Sequence, residues 1–288
     1  MKPVLIADYK CETGEGPMWH PLEKKVYWCD IPRGRLFRYD PATGQHEMCY
    51  EGDEALGGFT VQADGALLFF MARGAVKIWR GSELTTVIDE IPGERDSRFN
   101  DVIADPAGRV FCGTMPTRER LGRLYRLDTD GTLTRVLDGI GTSNGMGFTP
   151  DRAQMYYTDT RKHEIYLFDY HQASGEIDNR RVFVQVPYEE SEGGPDGMTV
   201  DADGYVWSAR WGGSCLVRYA PDGQEVQRVS FPALKVSSVI FGGPDYTDMY
   251  VTTAGGHQKE IDGPGAGALF RLSLGIKGVP EFYSKVEL

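Results

Sequence analysis

Arg98-Phe99-Asn100-Asp101-Val102-Ile103-Ala104-Asp105-Pro106-Ala107-Gly108-Arg109-Val110-Phe111-Cys112-Gly113-Thr114-Met115 decides the reading of the fold. Its centre, Asp105-Pro106-Ala107-Gly108, is a turn: proline presets φ, and glycine supplies a conformation that side chains resist. The apolar runs on either side are short strands. The same unit recurs along the chain, with inner runs at Gly14–Trp19, Gly57–Val61, Asn144–Phe148, Asp196–Val200 and Ser237–Phe241. Gly65 and Gly108, at equivalent turns, lie 43 residues apart, inside the roughly 40–45 of a four-stranded propeller blade.

A third run of alternating Leu/Ile and Phe/Tyr starts at Leu36, Leu124, Ile165 and Leu269, which suits a sheet packed against its neighbours. A lone blade has two apolar faces and nothing to cover them. Six stacked around an axis cover each other and leave only short edges. The expectation is an all-β, six-bladed propeller of four-stranded antiparallel blades, a single domain over residues 1–288, closed by terminal strands. Val4-Leu5-Ile6-Ala7 is the first candidate for the closing strand and Phe282-Tyr283-Ser284-Lys285-Val286 the second. A β-sandwich is the rival architecture, and the period disfavours it.

The chain has 288 residues, 41% hydrophobic and 25% charged, enough for a large core. Its 36 glycines, 15 tyrosines and 13 phenylalanines favour short strands and tight turns. With 31 basic against 42 acidic residues the formal charge is −11, which argues against nucleic acid or an anionic membrane as partner. A small molecule fits better. The apolar part of the N-terminus is too short for a secretory signal and no run reaches membrane-spanning length, so a cytoplasmic protein is expected, monomeric or weakly homo-oligomeric. Cys11, Cys29, Cys49, Cys112 and Cys215 are odd in number and scattered, which reads as small core residues rather than disulfides or a zinc site. His20, His46, His163, His171 and His257 show no metal-ligand spacing. There is no serine elbow, Walker loop or dinucleotide fingerprint.

Each of four inner runs begins beside an acid or an amide: Glu15, Asn100, Asn144 and Asp196. Taken singly, Glu15-Gly16, Asn144-Gly145 and Asp196-Gly197 are ordinary turn dipeptides. Their shared phase points to a site, because propeller symmetry carries equivalent positions to one mouth of the central channel. Two carboxylates and two amides there form a hard-oxygen set suited to Ca²⁺, Mg²⁺ or Mn²⁺. Arg98, two residues before Asn100, points into the same mouth, whereas Asp101 is read as structural, bonding neighbouring backbone N–H groups.

Gly14-Glu15-Gly16-Pro17-Met18-Trp19, Arg98-Phe99-Asn100-Asp101 with Gly113-Thr114-Met115, Ser143-Asn144-Gly145 with Tyr157-Thr158-Asp159, and Pro195-Asp196-Gly197-Met198 together resemble the gluconolactonase family, also called the regucalcin or senescence marker protein 30 family. The match spans nearly the whole chain. The resemblance implies one catalytic divalent cation held by Glu15, Asn144 and Asp196; the ligand set tolerates several ions, with Ca²⁺ expected first and Mn²⁺, Mg²⁺, Zn²⁺ or Fe²⁺ as alternatives. It implies that Arg98 and Asn100 contact substrate, that Asp196 is also the general base, and that the substrates are sugar lactones such as glucono-, xylono-, arabinono- or galactonolactone. Some members carry Glu three residues after Gly-Thr-Met; this chain has Arg118 there, which joins the expected substrate contacts.

The residues agree with that chemistry: a cation polarises the lactone carbonyl while Asp196 takes a proton from water. Activation of the water by the cation itself suits the sequence equally. Hydrolysis of other esters or phosphotriesters on the same site is the nearest alternative, and a non-catalytic calcium-binding propeller is the alternative of a different class.

Overall fold

Alternating side chains give each run two packing faces, and the computed structural model, which describes residues 2–287, shows how both are used. Among the described residues, 24 strands form six four-stranded antiparallel sheets. Of the expected span 1–288, Met1 and Leu288 lie outside the described residues. Blade 1 runs outward from the axis through Gly14–His20, Lys25–Asp30, Arg35–Tyr39 and His46–Glu51. The innermost strands of blades 2 to 6 are Leu56–Val61, Phe99–Ala104, Ser143–Phe148, Gly194–Val200 and Val236–Gly242. Each touches the next, and Val236–Gly242 touches Gly14–His20 to complete the circle. No helix among the described residues is long and apolar enough to cross a membrane.

The ring closes where the N-terminal candidate predicts. Val4–Asp8 pairs antiparallel with Ala268–Ser273, Val4 opposite Arg271, as the fourth strand of blade 6. Phe282–Val286 has a different role: it crosses the far end of the ring, where Ser284 bridges Gln62 and the N–H groups of Lys285 and Glu287 donate to the carbonyls of Gly108 and Thr129. With the sheet edge already taken by Val4–Asp8, the tail satisfies its donors on turn carbonyls instead.

Every blade face is a core for its neighbour. Tyr27, Cys29 and Leu36 of blade 1 pack on Leu67, Phe69 and Trp79 of blade 2. Trp207 and Leu216 of blade 5 pack on Val239, Phe241 and Phe270 of blade 6. Fully burying one such side chain contributes about 1.5–3 kcal/mol. Near the axis the strands approach so closely that side chains are excluded: a Cβ on Gly57 would lie 2.0 Å from the Phe99 carbonyl oxygen, and one on Gly145 would lie 2.6 Å from that of Asp196.

The tail brings Glu281 beneath the channel, where it lines both the channel and a floor cavity of about 380 Å³ shared with Phe148, Pro280 and Phe282. Burial pushes its carboxyl up to about 7. The folded chain therefore holds this proton more tightly than the unfolded chain does. The stability this contributes is full below the ordinary Glu value of about 4.3 and is lost as pH rises toward 7. Glu281→Gln is expected to raise the melting temperature by a few degrees at pH 8 and to leave it unchanged at pH 4. Thermal unfolding at the two pH values checks this, and an equal shift at both would contradict it.

Candidate active site

In all six blades the innermost strand holds one residue more than its partner at the same point. The register breaks fall between Glu15 and Met18, Leu56 and Gly58, Phe99 and Val102, Asn144 and Met146, Pro195 and Met198, and Val236 and Ser238. A bulge of this kind bends the strand and re-aims the side chain on it. Glu15, Gly57, Asn100, Asn144, Asp196 and Ser237 occupy the equivalent position at these breaks, so blades 2 and 6 contribute Gly57 and Ser237.

Loops entering these strands are pinned by acids at the ends of the second strands. Asp30 accepts the N–H groups of Glu12 at 3.1 Å and Thr13 at 2.9 Å. Asp159 does the same for Gly141 at 2.9 Å and Thr142 at 3.0 Å. Glu15 and Asn144 therefore enter the ring from rigid approaches.

Arg98, Asn100 and Asn144 are brought together by hydrogen bonds. Arg98 Nη1 donates to Asn100 Oδ1 at 2.7 Å and to the Phe99 carbonyl at 2.9 Å. Asn100 Nδ2 donates to Asn144 Oδ1 at 2.9 Å and to the Ser143 carbonyl at 2.7 Å. Glu15 and Asp196 join them through charge. Both are buried, 3% and 2% exposed, and both carboxyls stand well above the usual carboxylate range. Burial is the larger cause; Asp196 and Asp101 then raise Glu15, and Asp101 raises Asp196. The N–H groups of Gly16 and Gly197 and the Arg98 guanidinium only partly offset this. Burial lowers Arg98 in turn, against the pull of Glu15, Cys29, Asp101 and Asp196.

Asp101 departs from the sequence reading. Among the described residues no backbone N–H donates to its carboxyl; it lines the narrow channel with Gly16, Gly58 and Ser238, and burial pushes it up to about 7 while Arg98 pulls it down. The reason lies in the bulge, which turns the residue after Asn100 toward the axis. The signal is present in the repeat: the equivalent residues are Gly16, Gly58, Gly145, Gly197 and Ser238, all small, and only blade 3 carries an acid. Three carboxyls thus face one guanidinium.

Arg118 is placed differently. It is exposed on the loop between Val110–Thr114 and Gly122–Leu127, outside the hydrogen bonds and charge couplings that join the other five residues. That loop is held at the rim by Ser97 Oγ donating to the Met115 carbonyl at 2.7 Å, and by Arg120, which binds the Gly93 carbonyl and the fully buried Glu94. The histidines stay apart; His20, for example, is buried against the Gly65 carbonyl. Among the described residues no three His, Cys, Asp or Glu side chains gather as a metal-ligand group. The residues at the ring that could hold a cation are of another kind, the carboxyls of Glu15 and Asp196 and the amide oxygen of Asn144.

A family model described as the SMP-30/Gluconolactonase/LRE-like region matches residues 13–255. The chain belongs to this family. Among SMP-30/gluconolactonase relatives, the pentonolactonase XacC of Haloferax volcanii is 50% identical over the whole of both chains. Regucalcin of Gallus gallus is 33% identical over 98% of both. The solved structure of a luciferin-regenerating enzyme matches with a TM-score of 0.89 at 27% identity, covering 99% of this chain and 100% of that one.

The crowding of carboxyls has a measurable consequence in metal-free protein. Asp101 holds its proton up to about 7, so its contribution to stability is full below the ordinary Asp value of about 3.9 and lost as pH rises between the two. Asp101→Asn keeps the shape and removes the charge from Glu15 and Asp196. Chelator-treated Asp101→Asn is expected to resist urea better than the unsubstituted protein at pH 8 and equally well near pH 4. Equal or lower resistance at pH 8 would contradict the charge geometry.

Proposed function

We propose that this protein hydrolyses sugar lactones, opening aldonolactones to aldonic acids at the mouth of its ring. The observation that carries the reading is the buried excess of carboxyl groups at Glu15, Asp101 and Asp196 beside the Arg98 and Asn100 donors, in a chain of this family. A relative half identical in sequence is named a pentonolactonase, so lactones of pentonic acids come first and gluconolactone and galactonolactone next.

Glu15, Asp196 and the Asn144 amide oxygen fit a divalent cation. Both acids are buried, and that burial and their neighbouring acids raise their carboxyls with only the Arg98 guanidinium and two backbone N–H groups to offset it; hard oxygen donors suit Ca²⁺, Mn²⁺ or Mg²⁺, with Zn²⁺ or Fe²⁺ as alternatives. Bound there, such a cation supplies polarisation of the lactone carbonyl and stabilises the oxyanion. Among the described residues Arg98 bonds through Nη1 alone, leaving Nε and Nη2 to donate to sugar oxygens. Asn100 has committed Nδ2, so its Oδ1, already accepting from Arg98, retains one lone pair for a sugar hydroxyl.

Asp196 moves the proton. As a water oxygen bonds to the carbonyl carbon, the water's proton passes to the Asp196 carboxylate; as the ring C–O bond breaks, that proton passes to the leaving ring oxygen. One water is consumed and one hydroxy acid formed. Arg118 meets the substrate only at the rim.

Lactone opening releases acid at neutral pH, so proton release on adding a pentonolactone to chelated and then cation-restored protein tests the reading, after subtraction of spontaneous opening. Cation-restored turnover is expected, with Asp196→Asn losing about 10²–10⁴-fold in kcat while its far-ultraviolet circular dichroism is unchanged. Arg118→Ala is expected to raise KM with kcat unchanged. No rate above background with any cation or aldonolactone would overturn the reading.

A further inference from the structure

The two amides of the ring are symmetric in shape, and each can face either way. Their orientation here follows from what lies at the ends of the chain of hydrogen bonds they belong to. At one end Arg98 can only donate, so Asn100 turns Oδ1 toward it and Nδ2 toward Asn144. Asn144 must then present Oδ1 to Asn100 and send Nδ2 outward, where it donates to Thr160 Oγ1 at 2.8 Å. The Thr160 hydroxyl, having accepted, donates at 2.8 Å to the carbonyl of Pro195, the residue before Asp196. A backbone carbonyl can only accept, so the chain ends there. Donor-only arginine and acceptor-only carbonyl leave one direction for every link.

Thr160 is the link that spans two blades. It follows the second strand of blade 4, and its methyl occupies the space in which a Cβ on Gly194 would lie, 2.8 Å away. Its hydroxyl joins the amide of Asn144 in blade 4 to the strand carrying Asp196 in blade 5. We propose that Thr160 is a positioning residue for the oxygen donor set: it holds the Asn144 amide with its oxygen facing the ring and fixes the spacing of Asn144 from Asp196. This rests on the reading that Glu15, Asn144 and Asp196 bind a divalent cation. Without the hydroxyl, Asn144 Nδ2 loses its acceptor on that side, and the amide oxygen is held toward the ring from one end only, by the Asn100 donor. Partners that orient ligands in this way change affinity by about 10–100-fold when removed.

The experiment compares Thr160→Val, which keeps the shape, with Thr160→Ser, which keeps the hydroxyl. Thr158→Val serves as control, because Thr158 Oγ1 is buried two residues away with no hydrogen-bond partner among the described residues. Mn²⁺ affinity is read by calorimetry and by electron paramagnetic resonance, with melting temperature alongside. The proposal expects Thr160→Val to bind Mn²⁺ about 10–100-fold more weakly, with Thr160→Ser and Thr158→Val close to the unsubstituted protein. Loss of affinity in Thr158→Val as well would assign the effect to general loosening and overturn the proposal. Equal affinity in Thr160→Val would overturn it and leave the cation reading intact. Absence of binding by the unsubstituted protein would overturn both. If Thr160→Val does not fold, Thr160→Ala with Thr160→Ser as its rescue carries the same comparison.

Discussion

Like charge held out of water at the axis of the ring is the constraint on which the rest depends. Glu15 and Asp196 come from strands about 180 residues apart in sequence, Asp101 from a third, and one guanidinium faces them. Such an arrangement costs stability, because burial penalises each ionised carboxylate and each raises the next. It persists because the blades around it are over-determined by packing: six inter-blade cores and a ring closed by Val4–Asp8 hold the inner strands where the bulges put these side chains. Strain of this kind is typical of a site that waits for a ligand of opposite charge.

Rigidity and polarity at the mouth come from the same backbone device. A bulge in one strand would aim one side chain; the same bulge in six strands aims a ring of five, with Gly57 at the sixth position, and the mostly small residues that follow leave the channel narrow but open. Hydrogen bonds then give the ring a direction. Arg98 starts a sequence of donors that passes through Asn100 and Asn144, so the amide oxygens are assigned by chemistry and not by shape.

Much of this is legible in the sequence, for physical reasons that also mark where legibility ends. The blade period follows from turn residues such as Asp105-Pro106-Ala107-Gly108, whose local conformations are nearly independent of context, and the phase of Glu15, Asn100, Asn144 and Asp196 follows from the period. Closure by Val4–Asp8 is visible as a strand without a partner. The path of Phe282–Val286 is not, because its backbone N–H groups bond to the Val61 and Gly108 carbonyls and the Gln62 side chain, partners brought together only by the folded ring. Asp101 reads as a backbone cap because Asn-Asp before a strand usually is one; only the bulge, a tertiary feature, turns it to the axis. Arg118 is legible as a departure from a family pattern, but its exposed loop is set by Glu94, Arg120 and Ser97, which no motif includes.

The central claim is that the carboxyl groups at the axis are balanced by one divalent cation held between blades 1, 4 and 5. Anomalous diffraction from crystals soaked in Mn²⁺ tests it most directly. The account predicts a single strong peak in contact with Glu15, Asn144 and Asp196, and its disappearance in Asp196→Asn. A peak elsewhere on the ring, or none at this mouth, would contradict it.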